Sequence, residues 1–310
     1  LKINDKKSYM TIKNIVMAGG AYNGLYIIGA LKYLIENNFF DINNIETIYG
    51  TSVGGFIGIL LCLKIEWSII LNYILERPWN RDLSFSADMM FNMIPKKGIL
   101  DSDCMRIFFA NLLKSKHLSS DITLKEFYEF SKIKLYLFAV DVNTFKVVKL
   151  SHESHPTLKL IDAVFITCSM PFIFQPTFID NTYLVDGGVL CNYPLDFCIE
   201  DGKDKEEIMG IQFSLNKDDR KYIDESTNIV YYGYYMFDKL VGVARKPPKN
   251  SIKNEIIIPC DRISIPRAVE IVKDKTIRNS YIKKGEECAK LFMTYLSKEQ
   301  YSEIESNCHE

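Results

Sequence analysis

Two strand–loop–helix units follow one another near the start of this chain. Lys13 to Ala18 is a short β-rich run with Ile15, Val16 and Met17 at its centre. Gly19 and Gly20 break it. Leu25, Ile28, Leu31 and Ile35 then recur at three- and four-residue steps, the period of a helix. Ile45 to Tyr49 is a second such run, Gly50 to Gly55 a second glycine turn, and the apolar stretch from Phe56 a second helix. Strands joined through helices pair in parallel, so the pattern predicts an α/β fold whose sheet is wrapped by helices.

The rest of the chain extends this reading. Ser102 to Leu113 reads as a capped helix, and Thr123 with Glu126 as a capping box opening a helix over Leu124 to Phe130. Strands are expected at Lys134 to Val142, Lys146 to Leu150, Tyr183 to Val185, Ile208 to Phe213 and Glu255 to Ile258. Helices are expected at Leu158 to Cys168, near Asp224 to Ala244, and from Arg278 to Leu296, with a loop at Lys246 to Lys249. No internal repeat and no domain boundary is visible.

Composition narrows the class. The 310 residues are 47% hydrophobic and 25% charged, which suits a packed globular chain and excludes disorder. A net charge of -1 gives no overall attraction to nucleic acid, and no nucleic-acid partner is expected. The 8 cysteines show no C-x-x-C spacing and several sit in apolar runs, which reads as reduced thiols in a cytoplasmic protein. Leu1 to Asn14 is polar and has no signal-like apolar core. Phe56 to Leu63 is about half a membrane span and reads as a buried helix, so a membrane would be met from the side.

Three short motifs carry chemistry. Gly50-Thr51-Ser52-Val53-Gly54 fits G-x-S-x-G, a strand-to-helix turn that projects a serine hydroxyl from the sheet edge. Taken alone, Ser52 could equally be a helix cap. Gly19-Gly20-Ala21-Tyr22-Asn23-Gly24 lacks the dinucleotide fingerprint, because Ala21 occupies its third position. It still offers backbone N–H groups to an anion at a helix start. Asp186-Gly187-Gly188 follows an apolar strand, where open α/β sheets place their sites, although a plain D-G turn reads the same way. The histidines are His117, His152, His155 and His309. Asp141 with His152 or His155 would complete a serine triad, but both histidines sit in what reads as a polar surface loop.

Together the three motifs, in this order, resemble the patatin-like phospholipase family. Ile28-Gly29-Ala30-Leu31 is similar to the family's helix after the loop. Cys168-Ser169-Met170-Pro171 is similar to its A-S-x-[AS]-[IF]-P segment, shorter by about two positions. Asp186 to Pro194 reads D-G-G-x-x-x-N-x-P. The resemblance implies a three-layer α/β/α fold with a mostly parallel central sheet and a helical C-terminal part. It implies a catalytic core over 13–215 and a mainly helical extension over 216–310 packed on the same domain. It further implies a Ser52–Asp186 dyad, an oxyanion hole at Gly19, Gly20 and Ala21, and an elbow flanked by Gly50 and Gly54. No metal and no cofactor are implied. The substrate would be a phospholipid or another acyl lipid, with peripheral contact at a membrane. A catalytically inactive lipid-binding domain is the alternative from another class. Two departures stand out. Ala21 occupies a usual glycine position, which suits a negative φ. Asn23 stands where the family carries Lys or Arg.

Tyr231, Tyr232, Tyr234, Tyr235 and Phe237 form an aromatic cluster with Lys239, Arg245 and Lys246 nearby. It could dock on lipid, with the cations meeting anionic headgroups. Aromatic residues dominate cores, so packing against the C-terminal helices is the expectation.

Overall fold

The computed structural model describes residues 11–79, 94–216, 223–227, 229–262 and 265–307. The polar start of the chain up to residue 10, and His309, lie outside the described residues.

Strand β1 (Asn14–Met17) leads into helix α1 (Gly24–Glu36), then β2 (Thr47–Thr51) into α2 (Val53–Cys62). Helices α3 (Trp67–Glu76), α4 (Asp103–Ser115) and α5 (Leu124–Ser131) follow. Strands β3 (Lys134–Asp141) and β4 (Lys146–Leu150) form a hairpin, and α6 (Leu160–Cys168) precedes a second hairpin of β5 (Thr177–Ile179) and β6 (Thr182–Asp186). Helix α7 (Leu195–Glu200), β7 (Ile208–Leu215), α8 (Ile229–Ala244), β8 (Glu255–Cys260), α9 (Ile265–Lys273) and α10 (Lys275–Asn307) complete the chain. The expected capping box is present: Glu126 N–H donates to Thr123 Oγ1 at 3.2 Å, and Thr123 N–H donates to Glu126 Oε2 at 2.8 Å.

Among the described residues the strands form one sheet in the order β5-β6-β3-β2-β1-β7-β8, with β4 also on β3. The β1–β2, β2–β3, β1–β7 and β7–β8 pairs are parallel, as two successive strand–helix units require. Alternating side chains fill both faces. Ile15 and Met17 of β1 join the larger core under α1, α2 and α6, whereas Val16 and Ala18 join Tyr49, Phe138 and Leu195 on the opposite face. Region 216–310 donates β8 to the sheet and lays α10 along α1, where Tyr26 and Tyr281 stack at 4.5 Å.

Four elements go beyond the sequence expectations: α3, β5, α7 and α9. The β5–β6 hairpin turns on Asp180 and Asn181 at φ 51° and 63°, two left-handed residues that match the twist of a two-residue loop. Among the described residues no helix is long and apolar enough to cross a membrane. The described cysteines are free thiols.

Candidate active site

The register on β3 joins the two distant motifs. β2 and β4 both pair with Leu137 and Phe138, so they occupy opposite edges of β3. β4 and β6 both pair with Ala139 to Asp141, so they too are on opposite edges. β6 therefore continues the same edge where β2 stops. Thr51 is opposite Phe138, and Asp186 is opposite the next residue, Ala139. Ser52 leaves the end of β2 beside the arriving end of β6, and its hydroxyl is near enough to the Asp186 carboxylate to favour its charged form.

The elbow is strained as its motif requires. Ser52 has φ 54° and ψ −124°, a backbone region that side chains rarely adopt. Its N–H donates to Thr167 Oγ1 at 3.0 Å, and the Thr167 hydroxyl donates to the Phe138 carbonyl at 2.6 Å. Gly54 lies against the backbone of Met17 and Ala18, and Gly50 against that of Gly54 and Gly55, so a side chain at either position would collide with main chain. Ser52 makes no side-chain cap to α2.

The glycine loop is held by Asn192. Gly19 N–H donates to the Asn192 carbonyl at 2.9 Å, and Asn192 Nδ2 donates to the Gly19 carbonyl at 2.9 Å. A Cβ on Gly19 would approach Asn192 Oδ1 to 2.8 Å and the Ser52 Cβ to 3.1 Å. The N–H of Gly19 is thus engaged, while those of Gly20 and Ala21 have no partner among the described residues. The sequence expectation at Ala21 needs correction: its φ is +47°, in the left-handed region. Ala there costs roughly 1–2 kcal/mol that glycine would not. Ala21→Gly should therefore raise the free energy of unfolding by about 1 kcal/mol, read from the midpoint shift of a reversible urea transition at equal slope. An unchanged or lower midpoint would contradict it.

Asp186 is 1% exposed. Its Oδ1 accepts Gly188 N–H at 2.7 Å, and its own N–H donates to the Ser169 carbonyl at 3.0 Å. Burial pushes its carboxyl up to about 6, against the pull of the Ser52 hydroxyl, the Gly188 N–H and the positive charge of Arg245. The buried Cys168 thiol, itself raised by burial, is a second neighbour of the Ser52 hydroxyl.

Arg245 and Thr167 were not anticipated in these places. Arg245 Nε donates to the Gly188 carbonyl at 2.7 Å, and Nη2 bonds the same oxygen. It therefore faces inward and not toward headgroups, the docking alternative weighed for it from the sequence. The aromatic cluster splits. Phe237 packs with Val241 on Val140, Val185 and Val189, whereas Tyr231 and Tyr232 are exposed. Asn23 is buried and donates to Cys260 Sγ at 3.3 Å, on the β8 side.

The histidines are elsewhere. His152 stacks on Tyr128 at 3.8 Å and lies 3.6 Å from Glu153, which pairs with Lys134 at 2.8 Å. Lys134 starts β3, about 13 Å of strand from Phe138. His152 belongs to the amino end of the sheet, whereas Ser52 belongs to the carboxyl end. His155 Nδ1 lies 2.9 Å from Ser154 Oγ. Asp141 accepts from Thr182, Asn143 and Thr144 in its own turn. The groups acting on Asp186 are Ser52, Gly188 and Arg245, with no described histidine among them. A groove of about 590 Å³ opens at the amino ends of the strands, lined by Lys13, Glu46 and Lys134, and is remote from the Ser52 turn.

Comparison with known proteins shows the family and the fold. The patatin-like phospholipase family model matches residues 15–199, more than half of the chain. The probable lipid hydrolase 463L of Invertebrate iridescent virus 6 is 27% identical over 190 residues, 61% of this chain and 63% of that protein. The uncharacterized protein R571 of Acanthamoeba polyphaga mimivirus is 28% identical over 211 residues, 67% of this chain and 68% of that protein. The match to 463L thus spans less than two thirds of that relative. Among solved structures, VipD from Legionella pneumophila superposes with a TM-score of 0.54 at 15% identity, over 92% of this chain and 67% of that one, which shows a common fold. With the family model covering both the Ser52 turn and the Asp186 turn, the chain belongs to the patatin-like phospholipase family.

Proposed function

We propose that this chain is a lipid acyl hydrolase that cleaves carboxylic esters, of the phospholipase A type, through a Ser52–Asp186 dyad. The observation that carries the reading is the meeting of the Ser52 hydroxyl with a buried Asp186 carboxylate on one edge of β3. In this reading Ser52 attacks the ester carbonyl while Asp186 takes its proton. The leaving alcohol is protonated from Asp186, and an acyl-enzyme remains on Ser52. Asp186 then draws a proton from water as it attacks the acyl group, and Ser52 is restored. The N–H groups of Gly20 and Ala21 would hold the oxyanion, each such donor being worth ~3 kcal/mol. Gly19 would serve by its lack of a side chain, since its N–H is already bonded to Asn192. The positive end of α2 faces the same oxygen.

Against a triad stands the separation of His152 from the Ser52 end of the sheet. Against a purely binding role stands the strained backbone at Ser52, which a lipid-binding fold would not need. The test is a fluorophosphonate probe followed by peptide mass spectrometry. The adduct is expected on the peptide containing Ser52. An adduct on another serine would overturn the assignment of the nucleophile.

A further inference from the structure

Exposed apolar side chains gather at one end of this molecule. Phe145, in the β3–β4 turn, is 57% exposed at φ 51°, and Phe172 is 52% exposed at φ 72°. A bulky residue in the left-handed region is strained, and an exposed ring gains little from burial to offset it. Both costs fall on the same two residues. Phe172 follows the Ser169 whose carbonyl accepts the Asp186 N–H, and packs edge-on to Phe237 of α8 at 5.4 Å. Phe178 of β5 is exposed beside Tyr183, whose carbonyl accepts Val142 N–H just past β3. These rings lie beyond the carboxyl end of the strands, the end that carries Ser52.

Helix α8 adds a stripe. Ile229, Tyr232, Met236, Leu240 and Val243 recur at three- and four-residue steps and are all exposed. The opposite side of α8 carries Val241 and Phe237 into the core, and its end sends Arg245 to Gly188. Among the described residues the outward stripe packs into none of the hydrophobic clusters. Cations accompany the apolar groups. Lys97 Nζ lies 5.0 Å from the Tyr183 ring, Lys239 Nζ lies 5.3 Å from the Tyr235 ring, and Lys146 follows Phe145 in sequence. Two of the acids there are engaged: Asp141 by its turn, and Asp238 by Arg262 at 2.6 Å.

We propose that this rim, formed by Phe145, Phe172, Phe178 and the outer stripe of α8, docks the protein on an anionic phospholipid bilayer with the Ser52 cleft facing the lipid. The proposal rests on the lipid-hydrolase reading above. Apolar groups that enter the acyl layer, with lysines that stay at headgroup level, match the layering of a bilayer. A protein seated on the rim would instead block the mouth that a lipid must enter.

The test uses the full chain carrying Ser52→Ala, so that vesicles stay intact. It is compared with the same protein carrying also Phe145→Ser, Phe172→Ser, Leu240→Ser and Val243→Ser. Co-sedimentation should show binding to phosphatidylcholine vesicles that strengthens when about a fifth of the lipid is phosphatidylserine. The rim variant should bind at least about tenfold more weakly. With Ser52 restored, that variant should hydrolyse a soluble short-chain ester at the parent rate while losing activity on vesicles. As a second measurement, Phe145→Trp and Phe178→Trp should show fluorescence quenched by acyl-brominated phospholipid, and Ile69→Trp, exposed on α3, should not. Equal vesicle binding by the rim variant overturns the docking surface, as does quenching at Ile69→Trp alone. A parent dimer that the rim substitutions dissolve, with no vesicle binding, also overturns it. Rim-dependent vesicle binding in a parent that cleaves no ester would keep the docking surface and remove the hydrolase reading.

Discussion

Asp186→Asn should reduce ester turnover by about 10²–10⁴-fold while making the folded protein more stable at neutral pH. The two effects have one physical origin. Burial raises the Asp186 carboxyl from its ordinary range to about 6, so ionising it costs the native state free energy that the unfolded chain does not spend. Below about pH 4 the group is protonated in both states and there is no penalty. The penalty grows as pH rises through the interval up to 6 and is complete above it. Two pH units correspond to about 3 kcal/mol. Asn keeps the shape and the acceptor for Gly188 N–H, so it should remove the penalty without leaving a cavity. The melting temperature of Asp186→Asn should exceed that of the parent by several degrees at pH 8, and the two should converge near pH 4. In the parent, kcat/KM should rise with pH along a limb centred near 6 if Asp186 is the base proposed above, since only an ionised carboxylate can accept a proton. Full activity in Asp186→Asn would refute the base assignment. A melting difference independent of pH would refute the burial argument.

The histidines sharpen the same experiment. Replacing His117, His152 and His155 together should leave most of the activity, since the described histidines do not act on Asp186. A folded variant without these histidines that is inactive, beside an active Asp186→Asn protein, would reverse the mechanism.

Local rules made the frame of this fold legible. Glycine breaks and helical periodicity marked β1–α1 and β2–α2, and the parallel pairing of β1 with β2 and β7 follows from them. The capping box at Thr123 was readable because its two bonds are made within three residues. The positions of Ser52 and Asp186 were each visible as turns. Their meeting was visible only by resemblance, because it depends on β6 taking over the β3 edge where β2 ends, and strand order is set by tertiary packing. The inward position of Arg245 was not legible for the same reason. A cation after an apolar helix reads as a surface charge, and only the path of α8 over Val140 and Val185 turns it toward Gly188. Ala21 ran against local preference: side chains avoid φ +47°, and the loop imposes it through the Asn192 bonds on Gly19. α3 lay in plain view at Trp67, Ile70, Leu71 and Ile74, but Lys64 and Glu66 ended the apolar run that drew attention.

Ser52 offers a separation that no other residue here provides. Ser52→Ala and Ser52→Gly both remove the oxygen proposed to attack the ester, and both should lower turnover on the order of 10⁶-fold, the scale on which serine hydrolases lose activity without their nucleophile. Their stabilities should part. At φ 54° and ψ −124° any Cβ is strained, so Ser52→Ala keeps the strain and loses only the hydroxyl's contacts with Asp186 and Cys168. Ser52→Gly removes the strain as well, and backbone strain of this kind is worth about 1–3 kcal/mol. The greater flexibility of glycine in the unfolded chain offsets up to about 1 kcal/mol of that gain. Ser52→Gly should therefore unfold at a higher urea midpoint than Ser52→Ala, with equal slopes and equally absent fluorophosphonate labelling. If the two midpoints coincide, the strain at Ser52 is no larger than the roughly 1 kcal/mol that glycine's flexibility costs. If Ser52→Gly is the less stable of the two by about that full cost, the backbone at Ser52 carries no strain. Either result would leave the loss of activity to be explained by the missing hydroxyl alone.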